Sequence, residues 1–172
     1  MNIKNIKFVF VLAVLAFVSS GCDFYYRNMP FVPIPPQTIS GPVVIGSEWV
    51  EVVPPKPLSP LGSTNWISLG YSEYEEGRYA EGDGKTLNLV DGRVTRIEAL
   101  LFDDRGEIYE LEVSRTSNGP QLHRKGKVKI LNGVPDYSET KFPSDRVFVR
   151  LKIRSEISLD CSKIEWQGSK PQ

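Results

Sequence analysis

The stretch VFVRLKIRS, residues 147–155, decides the fold. Val147, Val149, Leu151 and Ile153 alternate with Phe148, Arg150, Lys152 and Arg154. A side-chain period of two predicts a half-buried antiparallel strand, with the aliphatic row facing a core and the basic row facing solvent. Downstream, 157–166 carries Ile157, Leu159, Cys161, Ile164 and Trp166, which predicts one or two closing strands. Upstream, strands are expected over 86–90 and 93–102, on either side of Asp91-Gly92. That dipeptide is a strong signal for a two-residue hairpin turn. Asp103-Asp104-Arg105-Gly106 supplies the next turn, and 107–115 returns as a meander that Asn118-Gly119-Pro120 breaks.

The remainder fits the same scheme. Residues 43–53 (VVIGSEWVEVV) predict one β-branched strand ending at Pro54-Pro55. Residues 66–69 and 127–131 predict short strands, the latter ending at Asn132-Gly133, and 73–84 predicts a long polar loop. No stretch after the first 21 residues has a helical period. Seven to nine strands with frequent turns, all from this sequence, predict an all-β fold, an antiparallel β-sandwich. The phrase VFVRLKIRSEISLDCSKIEW (147–166) resembles the closing strands of jelly-roll, galactose-binding-like domains. That resemblance implies a jelly-roll-like sandwich.

The N-terminus has a different composition. Lys4 and Lys7 precede FVFVLAVLAFV, an apolar run over 8–18, and Ser19-Ser20-Gly21 precede Cys22. A basic start, a short apolar run and a small-residue exit predict a signal helix rather than a spanning one. SSGC resembles the lipobox of bacterial lipoproteins recognised by signal peptidase II, with Ser19 where that pattern has a Leu-like residue. The resemblance implies that Cys22 becomes the mature N-terminus and carries a diacylglyceryl thioether and an N-acyl chain. Several acyl chains hold a protein firmly on a bilayer, so the expected place is the bacterial cell envelope, facing the periplasm or exterior. Asp23 resembles the inner-membrane retention signal of enterobacterial lipoproteins; inner and outer membrane both stay open.

The expected organisation is a signal peptide over 1–21, a lipidated cysteine and proline-rich tether over 22–42, and one β-sandwich domain over 43–172. Pro30, Pro33, Pro35 and Pro36 favour extended polyproline II in the tether. Its apolar residues, Phe24, Tyr25, Tyr26, Phe31, Val32 and Ile34, have two readings. They sit at the membrane interface, or they pack on the domain as an N-terminal arm.

Composition excludes several activities. Lys4 and Lys7 leave with the signal, so 19 basic residues face 21 acidic ones in the mature chain. A charge near −2 on an exported protein argues against nucleic acid as partner. With Cys22 acylated, Cys161 is a lone thiol, either buried as a small hydrophobe or paired with another chain. His123 is the one histidine, which argues against a His/Cys zinc site, and it is expected in a solvated loop beside Arg124 and Lys125. No cofactor or metal is expected.

No GxSxG, HExxH, GxGxxG or Walker-type loop occurs. Ser138-Glu139-Thr140-Lys141 matches the bare SxxK pattern, but Pro135 and Pro143 flank it and its companion motifs are missing. Glu73, Glu75, Glu76, Glu81 and Asp83 offer oxygen ligands to calcium without an EF-hand order, and a solvated loop explains them more simply. Asp103 and Asp104 are read as turn formers. The chain is not expected to be an enzyme.

Two surface features point to binding. Arg150, Lys152 and Arg154 share a strand face, and Arg124, Lys125, Lys127 and Lys129 form a second basic run. If the strands adjoin, they present a positive face to an anionic glycan, a lipid headgroup or an acidic protein. The plainer reading is cross-strand pairing with carboxylates such as Glu110 and Glu112. Trp49, Trp66, Tyr71, Tyr74 and Tyr79 have ring faces suited to stacking on sugars, although Trp49 and Trp166 are assigned to the core. The expected function is therefore a lipid-anchored, non-catalytic binding module for an envelope protein or glycan, through Arg150, Lys152, Arg154, Trp66 and Tyr74. The alternative is a structural or assembly lipoprotein of a membrane complex, whose apolar tether supplies contacts.

Overall fold

Period-two patterning and turn chemistry lay down thirteen strands among the described residues. In the computed structural model those residues are 31–74, 84–116, 119–127, 129–131, 134–136 and 138–171. The expected signal peptide, Cys22 and the first part of the expected tether lie outside them, as do Glu75, Glu76, Tyr79, Glu81 and Asp83. The strands are β1 (Phe31–Ser40), β2 (Val43–Ile45), β3 (Val50–Val52), β4 (Thr64–Leu69), β5 (Thr86–Asn88), β6 (Val94–Asp103) and β7 (Ile108–Thr116). They continue as β8 (Gly119–Arg124), β9 (Lys129–Leu131), β10 (Val134–Asp136), β11 (Phe148–Ser155), β12 (Leu159–Cys161) and β13 (Ile164–Pro171). The one helical element described is a single 3-10 turn, Ser138–Thr140. Residues 33–170 form one compact unit; Phe31, Val32 and Pro171 are the only described residues outside it.

One sheet dominates, ordered β1-β13-β4-β8-β7-β6-β11-β3, with β5 paired to β6. Each pairing whose register is given within it is antiparallel. The sheet is strongly curled. Phe148 on β11 and Trp166 on β13 are five strand steps apart in that order. Five steps of a flat sheet span about 24 Å, yet the two rings lie 5.6 Å apart. Phe142 fits between them, 5.1 Å from each.

The chain after β3 crosses the opening left by the curl. Leu58 bridges to Phe148, and the Trp166 indole donates to the Ser59 carbonyl at 2.8 Å. The short β12–β2 pair adds Ile45, Leu159 and Cys161 to the core. The all-β, sandwich-like architecture thus comes from a continuous sheet folded over its own apolar face. Cys161 is buried there, as a small hydrophobe.

Several sequence expectations change in detail. The proline-rich stretch forms β1 from Phe31 onward, beside β13 at the sheet edge, so strand structure begins before residue 43. Proline is tolerated on an edge strand, where one side needs no ladder donor. Ile39 of β1 enters the core, which favours the arm reading for this part of the tether. Residues 43–53 form two strands, β2 and β3, interrupted at Gly46 and belonging to different sheets. Phe148 faces the core with Leu151 and Ile153 because the β11–β6 register shifts between Phe148 and Arg150. A bulge of this kind adds one residue and reverses the alternation beyond it. Asn118-Gly119-Pro120 does not end the meander, since Gly119 (φ 113°) opens β8, which pairs back on β7.

The two predicted turns share one geometry. Leu89 N donates to Arg93 O at 2.8 Å, and Asp103 N to Glu107 O at 3.1 Å. Each pair closes a three-residue loop whose last residue is a left-handed glycine, Gly92 (φ 82°) or Gly106 (φ 83°). The Asp-Gly signal therefore marks a three-residue loop rather than a two-residue one. Asp103 Oδ1 accepts from Arg105 N at 3.0 Å and Glu107 N at 2.7 Å. Its role as turn former extends inward, where the fully buried carboxylate meets Arg146 Nη1 at 3.2 Å.

Candidate functional site

Residues directly opposite one another in a ladder point to the same face, so the registers define the outer surface of the curled sheet. On β11 and β6 the opposed pairs are Arg150–Phe102, Lys152–Leu100 and Arg154–Glu98. Lys152 also faces Glu51 of β3. Leu100 faces Glu110 of β7, and Glu112 faces His123 of β8. Ser68 faces both Gln121 of β8 and Glu165 of β13, and Trp66 faces Gln167. All these side chains form one continuous outer face; Leu151, Ile153, Leu101, Leu111, Leu122 and Trp166 fill the inner one.

The basic stripe stands at one side of this face and is anchored twice over. Arg150 carries its guanidinium 4.3 Å from the Phe102 ring centroid and 3.7 Å from Glu51. Lys152 Nζ is 5.9 Å from the same ring and 3.3 Å from the same carboxylate. Arg154 lies 4.7 Å from the Trp49 ring centroid and donates through Nε to Glu98 Oε2 at 2.8 Å. Stacking on a ring and pairing with a carboxylate fixes each long side chain in one direction. Glu98 also has Lys85 at 3.9 Å and Arg96 at 3.6 Å. The hydrogen bond from Arg154 holds the Glu98 carboxyl below its ordinary range.

Cross-strand pairing is therefore present: Glu51 and Glu98 are the acids for the stripe, and Glu110, as expected, is the acid for the second basic run. Glu110 takes Lys125 at 3.0 Å. The two basic runs do not adjoin: β6 and β7 separate β11 from β8 and place Glu98 and Glu110 between them. Lys129 pairs with Glu139, and Arg124 turns inward over the Tyr109 ring at 5.2 Å.

The aromatic residues divide differently from expectation. Trp166 is fully buried, but Trp49 keeps 39% of its surface exposed. Trp49 precedes the short edge strand β3 and lies on the outer face, where Arg154 covers part of its ring. Tyr71 and Tyr74 are core residues; Tyr74 bridges to Leu89 and does not present a ring face to solvent. Trp66 is half-buried, donates to Gln167 Oε1 at 3.1 Å, and stacks on His123 with ring centroids 6.3 Å apart. His123 is thus a strand residue of β8, not a solvated loop residue. Burial pushes its imidazole below the ordinary value and pushes the facing Glu112 carboxyl above its own.

The sequence reading placed Trp49 in the core and did not single out Glu98. Their signal was present in the outward parity of 98 with 100 and 102, but β3 was too short to show which way Trp49 pointed. Among the described residues no cluster of His, Cys, Asp and Glu could hold a metal ion. No helix among them is long and apolar enough to cross a membrane. No protein-family model, curated protein or solved structure matches the chain.

Proposed function

We propose that this chain is a lipid-anchored bacterial envelope protein that acts as a non-catalytic binding module, presenting the outer face of its curled sheet to a protein partner or glycan. The observation that carries the reading is the stripe Arg150, Lys152 and Arg154, held on Phe102 and Trp49. Arg150 and Lys152 share one carboxylate, Glu51, so this part of the face retains positive charge. Preorganised cations on one internal strand lose little entropy when a ligand arrives. The anchor rests on the layout of residues 4–22 and its resemblance to a lipobox.

In-cell crosslinking of the intact chain, followed by mass spectrometry of what is attached, tests the module reading. Attached envelope protein or cell-wall glycan is expected, and attachment of neither contradicts it. Palmitate labelling tests the anchor: Cys22→Ser is expected to abolish it, and persistent labelling refutes lipidation at that residue.

A further inference from the structure

Two depressions flank Glu98 on the outer face. One, of about 260 Å³, is lined by Ser47, Arg96, Glu98, Arg154, Ser155 and Glu156. The other, of about 130 Å³, includes Trp49, Lys85, Glu98, Leu100 and Glu110 in its lining. Glu98 lines both, and the Trp49–Arg154 stack stands between them, Arg154 lining the first and Trp49 the second, so the trough they make is divided there.

The lining has three properties that together specify a ligand. An indole surface remains open beside an aliphatic side chain, Leu100, which suits the apolar face of a ring. Carboxylates alternate with cations, so the walls offer both acceptors and donors at short range. The formal charges cancel: Lys85, Arg96 and Arg154 stand against Glu98, Glu110 and Glu156. A charge-balanced wall gives no net attraction to an anion, yet it binds hydroxyl groups, which donate and accept at once. The neighbouring Arg150–Lys152 pair, with one shared acid, lacks this balance.

We infer that this trough is a subsite for an uncharged saccharide, stacked on Trp49 and hydrogen-bonded by Glu98, Arg96 and Lys85. The inference rests on the binding-module reading and narrows its ligand class. Glu98 is the central acceptor, since Arg154, Arg96 and Lys85 surround it and keep it ionised. Arg154 is a positioning residue for both the Trp49 ring and the Glu98 carboxylate.

The test is calorimetric titration of the intact protein with cello-, malto- and N-acetylchito-oligosaccharides. At least one is expected to bind, and Trp49→Ala or Glu98→Gln to weaken that binding by about tenfold or more, the scale of one lost stack or charged hydrogen bond. Trp49→Tyr, which keeps a ring, is expected to restore most of it, and Glu139→Gln, at a surface pair with Lys129 outside the trough, to leave it unchanged. No binding by any of the three sugars overturns the inference, as does binding that Trp49→Ala leaves intact. The parent reading fails separately: it falls when crosslinking captures neither glycan nor protein, whatever the sugar titrations show.

Discussion

Arg154 lies over Trp49 at 4.7 Å while its Nε holds Glu98 at 2.8 Å, so one guanidinium joins the edge strand region to the middle of the sheet. The contact links residues 105 positions apart in sequence and fixes the exposed indole in place. Without Arg154, nothing else described holds the Trp49 ring against the sheet by a charged contact.

Arg154→Ala is therefore expected to raise the Glu98 pKa toward the ordinary 4.5. Glu98 has a depressed pKa in the folded state, so it contributes stability above that ordinary value and loses it as pH falls through the lower folded one. The pair is partly exposed and contributes about 1 kcal/mol at neutral pH. A carboxyl-resolved NMR titration of both proteins checks this, and an unchanged Glu98 titration contradicts the pairing.

His123 also lowers stability in acid, through a different cause. Its imidazole is held below the ordinary 6.5 by burial against Trp66. The unfolded chain binds a proton near that value and the folded chain resists it, so stability is complete above 6.5 and falls as pH drops toward the folded pKa. Glu112, which faces His123, is raised by burial and acts with the reverse sign, favouring the fold as it protonates. Lys125 is the cation near Glu112 and partly counters that rise. His123→Gln is expected to narrow the gap in urea midpoint between pH 7.5 and pH 5.5; an unaltered gap contradicts the buried, neutral imidazole.

The pair of Asp103 and Arg146 is structural. Asp103 is fully buried, and Arg146 also reaches Glu107 at 3.5 Å. Arg146→Ala leaves a buried carboxylate with backbone donors and no cation, at a cost of about 3 kcal/mol. For a domain of this size that lowers Tm by roughly 10 °C. A scanning-calorimetry shift under 2 °C on the same scale contradicts a tight pair.

Cys161 is expected to be inert in the native protein. It is buried, and burial pushes its thiol up to about 11. Thiolate is the reactive form, so iodoacetamide modification at residue 161 is expected only after unfolding. Labelling within minutes in native buffer at pH 8 contradicts this burial.

How much of this was legible in sequence depends on the length of each strand. β6, β7 and β11 are long enough for period-two patterning to show both faces, and their placement and the outward basic row follow from it. The bulge at Phe148 shifts parity in a way no local pattern announces. β8 was hidden because Gly119 and Pro120 read as a break, although a left-handed glycine is what a tight return needs. Trp49 and Tyr74 exchanged roles for a similar reason. A lone aromatic beside a three-residue strand has no periodic context, and the curl that buries Tyr74 is a long-range property of the sheet.

The most direct measurement is crosslinking in cells with wild-type protein and with the double charge reversal Arg150→Glu/Lys152→Glu, both kept at equal surface level. The outer-face reading predicts that the captured partner or glycan is lost or strongly reduced in the variant while the protein stays folded and anchored. Capture at the wild-type level by a folded, anchored variant contradicts it.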